Sequence, residues 1–170
     1  MEMKNVKKKT FISIIITLSM ITLAAICTCL FMLNAYFKFK NTVTVKADGV
    51  TQATVSVSDL SLTPSQSKEY EINLVCDVAG TFSVELDYQE KDDGGMKDFV
   101  DVSVYAEGAC VYEGGLAYLL QPDSLVTFNS TLHAKTPNAV KIVYAMPSET
   151  GNDAKNTSAT FDILVRIYKI

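Results

Sequence analysis

The chain has a single histidine, His133, and its four cysteines form neither a CxxC pair nor a cluster with that histidine. A structural zinc site takes four Cys or His ligands, and a zinc-protease helix takes two histidines one turn apart, so neither is expected. No glycine-rich phosphate loop and no nucleophile elbow occurs. His133 lies in a stretch, Asn129 to Ala134, that reads as ordinary strand. Asp92-Asp93-Gly94-Gly95 has some of the look of a calcium loop. It lacks the alternating acidic ligands and closing Glu of an EF-hand, and reads as a solvated hairpin loop. Glu85 and Asp87 follow strand spacing on a wet face. The composition therefore predicts no metal, no cofactor and no enzyme.

Charge is missing from one place above all. Phe11 to Leu33 holds no charged residue over 23 positions, and Lys7, Lys8 and Lys9 stand directly before it. As a helix rising ~1.5 Å per residue, this run covers roughly 34 Å, enough to cross a bilayer core of about 30 Å. The lysines hold the N-terminus in the cytoplasm, so everything after Phe37 is expected outside. Four of the fifteen basic residues and one of the nineteen acidic ones precede Phe11, which leaves a formal −7 on the remainder. Nucleic acid is not an expected partner of such a surface. The division that follows is a basic n-region over residues 1–10, a signal or anchor helix over 11–35, and one extracellular domain over 36–170. Leu33-Asn34-Ala35 gives a general signal peptidase the wrong residue at −3, and neither Cys27 nor Cys29 follows the small residue of a lipoprotein site.

Beyond the run, apolar residues alternate with polar ones in segment after segment. Phe37, Phe39, Val43, Val45 and Ala47 alternate with lysines and threonines, and Tyr70, Ile72, Leu74 and Cys76 alternate with Glu69, Glu71, Asn73 and Asp77. The same period recurs around Val55–Leu60, Phe82–Tyr88, Val100–Val104, Leu125–Ala134, Val140–Met146 and Ala159–Ile170. Leu116, Leu119 and Leu120 are spaced as one or two helical turns before Pro122. Short strands separated by turns and almost without helix predict an antiparallel two-sheet sandwich of jelly-roll type. Its core is expected to hold Ile72, Leu74, Phe82, Val84, Leu86, Val102, Val104, Ile142, Ile163 and Val165. Cys76 and Cys110 are both in the exported part, where disulfides persist. A bond between them would close a loop of about 35 residues, worth roughly 4 kcal/mol. A buried free thiol at Cys76 is the alternative. Asn129-Ser130-Thr131 and Asn156-Thr157-Ser158 are formal glycosylation sequons.

Several short segments resemble the TasA/camelysin family. They are Asn41-Thr42-Val43-Thr44-Val45, Leu62-Thr63-Pro64, Val111-Tyr112-Glu113-Gly114 with Leu116 and Leu119, and Ile142 to Pro147 followed by Gly151-Asn152 and a last strand Phe161 to Ile167. Ser65, Cys76-Asp77 and Lys155-Asn156 depart from the family's usual residues. Ala35-Tyr36-Phe37 after the apolar run is similar to the export signals cut by SipW-type signal peptidases, with cleavage between Ala35 and Tyr36. The resemblance implies a jelly-roll subunit of extracellular biofilm-matrix fibres whose partners are its own copies or related matrix proteins. It also brings the family's metalloendopeptidase label, for which the sequence offers no ligand set. Residues 36–47 alternate as a strand that could be donated between subunits through Phe37, Phe39, Val43 and Val45, or that could dock in its own sandwich. A membrane-tethered adhesin or sensor is the alternative function. No sorting motif for covalent attachment to a cell wall is seen.

Overall fold

The computed structural model describes residues 17, 19–28, 42–46, 50–154 and 156–170, apart from the side chain of Asp93. Two compact units divide the chain, Met1–Lys40 and Asn41–Ile170. In the first, residues 17 and 19–28 are helical. Thr22 donates its hydroxyl to the Ser19 carbonyl (2.9 Å) and Thr28 to the Ala24 carbonyl (2.8 Å). Both hydroxyls are thus satisfied on the helix itself. Among the described residues no helix is long and apolar enough to cross a membrane. Ala35, Tyr36, Phe37 and Phe39 lie outside the described residues.

The second unit is an all-β sandwich. Its strands are β1 (Thr42–Val45), β2 (Thr51–Leu60), β3 (Ser67–Cys76), β4 (Gly80–Gly94), β5 (Asp101–Ala106), β6 (Ala109–Gly115), β7 (Leu125–Leu132), β8 (Asn138–Ala145) and β9 (Ser158–Lys169). One sheet runs β1-β3-β8-β5-β6 and the other β2-β9-β4-β7. Successive strands mostly swap sheets, so the period-2 alternation puts one face of nearly every strand into a shared interior. All ten residues expected in the core are there, each at most 1% exposed. Tyr70, Tyr144, Phe161 and Tyr88 run across that interior with ring centroids 5.5–5.8 Å apart. Leu116 and Leu119 are buried from a single helical turn, Leu116–Leu119, tied to the Val100 carbonyl by the Leu116 N–H (2.8 Å).

One local expectation is corrected. The acidic-glycine segment is strand: β4 shifts register between Glu90 and Asp92, then pairs Asp92, Asp93 and Gly94 with Thr160, Ala159 and Ser158. Gly94 passes so close to the Ser158 backbone that a Cβ would collide with it, so this glycine serves a close approach between strands. β6 goes beyond the strands expected from alternation: its side chains are exposed or half-buried on both faces, which leaves no alternation to read.

Tyr88 and Tyr144 are buried, and among the described residues their phenol oxygens make no well-formed hydrogen bond. Burial, above all, pushes both phenols well above the ordinary tyrosine range. A pKa raised in the folded state gives stability that is complete below the unfolded value, near 10, and is lost as pH rises beyond it. Alkaline titration followed by phenolate absorbance should therefore leave these two of the eight tyrosines un-ionised until the fold opens. Ionisation of all eight before any loss of the β-sheet circular dichroism would contradict this placement.

Candidate functional site

Val43 and Val45 stand on β1, which among the described residues is the shortest strand and the edge of its sheet. It pairs with β3 in parallel, Thr42 opposite Asn73, Val43 opposite Leu74, Thr44 opposite Val75 and Val45 opposite Cys76. Every other strand pair in the two sheets is antiparallel. Parallel neighbours cannot be joined by a hairpin. The chain accordingly leaves β1, crosses to β2 in the other sheet, and only then returns as β3; Lys46 donates its N–H to the Thr51 hydroxyl (2.9 Å) at the crossing. Val43 and Val45 are buried in their own chain's core, at 2% and 1% exposure. Two valines are worth roughly 1.5–3 kcal/mol each, a modest hold for an element attached at one edge.

The cysteine pair is not formed, and Cys76 and Cys110 are free thiols. Cys110 stands opposite Tyr105, Tyr105 opposite Lys141, and Lys141 opposite Glu71. Cys76 is therefore three strands across and five residues along, on the order of 20 Å away, against a disulfide Cα span of about 4.4–6.8 Å. The Cys76 thiol donates to the His133 carbonyl (3.4 Å), and the exposed Cys110 thiol to the Tyr112 carbonyl (3.2 Å). Burial raises the Cys76 pKa further. A maleimide should thus modify Cys110 at once and Cys76 orders of magnitude more slowly. Because Val45 is Cys76's neighbour across the β1/β3 pair, deletion of residues 1–46 should remove that protection. Equal rates at the two thiols in the intact chain would show that β1 is not docked.

At the far side of the sandwich the β5–β6 turn carries Glu107 (φ +52°) and Gly108 (φ +80°). Glu107 accepts from the Ser130 hydroxyl (2.8 Å) and the Thr131 N–H (2.6 Å), so a turn of one sheet clasps the edge strand of the other. These bonds, the Ser130 hydroxyl first and with His133 nearby, hold the carboxyl below the usual carboxylate range. A depressed pKa keeps the clasp intact above the ordinary carboxylate range and loses it only as pH falls through the folded value. A cleft of about 500 Å³ lies here, lined by Glu107, Ser130, Thr131, His133 and Asn138. Its one carboxylate is already engaged, and the Asn138 side chain accepts the His133 N–H and donates to the His133 and Thr136 carbonyls. A second cleft of about 410 Å³ is built from Ser61–Pro64, Gly151, Asn152, Ala154, Asn156 and Thr157, without a titratable side chain. Among the described residues no group of three or more His, Cys, Asp or Glu is placed to hold a metal.

No protein family and no curated protein matches the chain. Among solved structures it is similar to a capsid protein of cyanophage Pam1 (16% identity, TM-score 0.38, 73% of this chain and 88% of that one). It is also similar to PliG of Aeromonas hydrophila, a periplasmic inhibitor of g-type lysozyme (12%, 0.35, 75% and 97%). A β-glucosidase of Paenibacillus barengoltzii shares 8% identity at TM-score 0.34 over 75% of this chain, which spans only 11% of that enzyme.

The clasp made by Glu107 is the contact that the sequence conceals. An acid before a glycine reads as a solvated turn, and its partners lie 23 and 24 residues away. Glu85 and Asp87 sit where expected, on the wet face, but they are held by Arg166 at 3.8 and 2.9 Å, and Tyr168 donates to Glu85 (3.0 Å).

Proposed function

We propose that the protein is an exported structural subunit of an extracellular biofilm-matrix fibre, in which β1 of one subunit fills the place beside β3 in the next. The observation that carries this reading is β1 itself: a four-residue parallel edge strand with two core-filling valines, outside an otherwise antiparallel frame. Without it, the strand orders β2-β9-β4-β7 and β3-β8-β5-β6 are those of a complete eight-stranded jelly roll, so the frame has a topology of its own. A strand added from a neighbour would make the same ladder and fill the same slots. The partners are copies of the chain or related matrix proteins, together with a SipW-type peptidase and the membrane during export. Phe37 and Phe39 would extend the donated strand after cleavage between Ala35 and Tyr36.

Electron microscopy of purified mature protein over a range of concentrations tests the reading. Fibres that lengthen with concentration are expected, and monomers at every concentration would defeat it. A second reading, a membrane-tethered adhesin or sensor domain, draws on the uncharged run and on the helix at residues 19–28, whose threonine hydroxyls are satisfied internally. N-terminal sequencing of the exported product separates the two. A start at Tyr36 supports release, and retention of Phe11–Leu33 supports tethering.

A further inference from the structure

The sandwich has four edge strands, and three of them carry a feature that discourages pairing with another chain. Among the described residues β1 runs only four, Thr42–Val45. β2 shifts register between Val57 and Leu60, and β6 meets a shift between Val104 and Tyr105. Short edges and bulges of this kind break the straight row of N–H and C=O groups that a foreign strand needs. β7 is different. It runs eight residues, Leu-Val-Thr-Phe-Asn-Ser-Thr-Leu, with no charge and no proline, and pairs with β4 without any shift. Its burial alternates at every position.

The direction of its open groups is fixed by two hydrogen bonds. Thr131 donates its N–H away from β4, to Glu107. Its partner on β4, Thr81, accepts from Ile170 on the β9 side. The residues at odd positions of β7 therefore turn their N–H and C=O groups to the open edge, and Leu125, Thr127 and Asn129 share the orientation of Thr131. Glu107 closes the end of that row at Thr131. What remains is a five-residue edge centred on Thr127.

We infer that β7 is a homodimer interface: it pairs antiparallel with β7 of a second copy about a two-fold axis at Thr127. Leu125 then lies opposite the second copy's Asn129, and Thr127 opposite its own counterpart. About six backbone hydrogen bonds form, and the two four-stranded sheets become one. A second copy fits because β7 matches itself: it is uncharged on a domain that is otherwise acidic. The acids flanking it on β4, Glu85 and Asp87, are held by Arg166. Glu107 fixes the register, since a strand shifted past Asn129 would meet its carboxylate.

The interface does not use β1 and is tested apart from strand exchange. In the full chain with Cys27→Ser, Cys29→Ser, Cys76→Ala and Cys110→Ser, Thr127→Cys should give a covalent dimer on mild oxidation of intact exporting cells. Its rate should exceed that of Thr131→Cys roughly tenfold or more, because only position 127 meets itself within disulfide reach. Equal rates, or no dimer from Thr127→Cys, would overturn the inference. In a second arm, Thr127→Pro removes an N–H that the monomer's sheet does not use. Placed on the Val43→Lys and Val45→Lys chain, which has lost strand exchange, it should turn a dimer into a monomer with an unchanged β-sheet circular dichroism spectrum, whereas a dimer that persists would also overturn the inference. Adding Val43→Lys and Val45→Lys to the Thr127→Cys chain should leave cross-linking unchanged; its loss there would show that the dimer depends on exchange of β1 and not on β7.

Discussion

Ile163→Asp should yield no folded domain, with no cooperative thermal transition and no protection of core amides. Ile163 is fully buried on β9, between Val55 of β2 and Tyr88 of β4. Removing the apolar side chain alone costs about 2–5 kcal/mol in a packed core. A carboxylate there finds no cation, and burying it, or protonating it to avoid the charge, costs several kcal/mol more. Together these terms match the whole stability of a typical domain, about 5–15 kcal/mol. Val84→Asp, on the neighbouring β4, should behave alike. Circular dichroism melts decide the matter, and a wild-type midpoint in either variant would mean that the faces of β4 and β9 are reversed.

Val43→Lys combined with Val45→Lys should abolish fibres while leaving a folded, less stable domain. Each valine fills the core from the outermost strand, so lysine can carry its charge out past the edge where a central strand would trap it. The loss expected is roughly 3–6 kcal/mol, from the burial of two valine side chains. The eight-stranded frame behind β1 keeps its own core and its own ladders. Electron microscopy and a melting curve on the same sample check both halves. Normal fibres from the double variant would remove β1 from assembly.

The strands and their inner faces were legible because burial on one face writes itself as alternation. Ile72, Leu74, Val84 and Val165 could be assigned to the core from spacing alone, and all are buried. What alternation cannot carry is partnership. The parallel seat of β1 beside β3 is decided by which edge remains open after the antiparallel pairs have formed, and no local pattern records that. β6 was invisible for a related reason: an edge strand half-exposed on both faces has no contrast between odd and even residues. The glycines at the end of β4 misled in the opposite direction. Gly94 looked like a turn, whereas its missing side chain lets Ser158 approach. The separation of Cys76 from Cys110 is likewise a matter of sheet order, which their exported setting does not reveal.

The link from β1 to the body of the domain is short. Lys46 to Val50 gives five residues between Val45 and Thr51, which stretch to roughly 20 Å at most. A domain of this size is on the order of 36 Å across. A strand on so short a leash reaches only a neighbour pressed against its own β1/β2 side. Subunits joined this way could not hang apart like beads on a thread. They would repeat at about one domain width, and the fibre would be stiff because the tether leaves no slack.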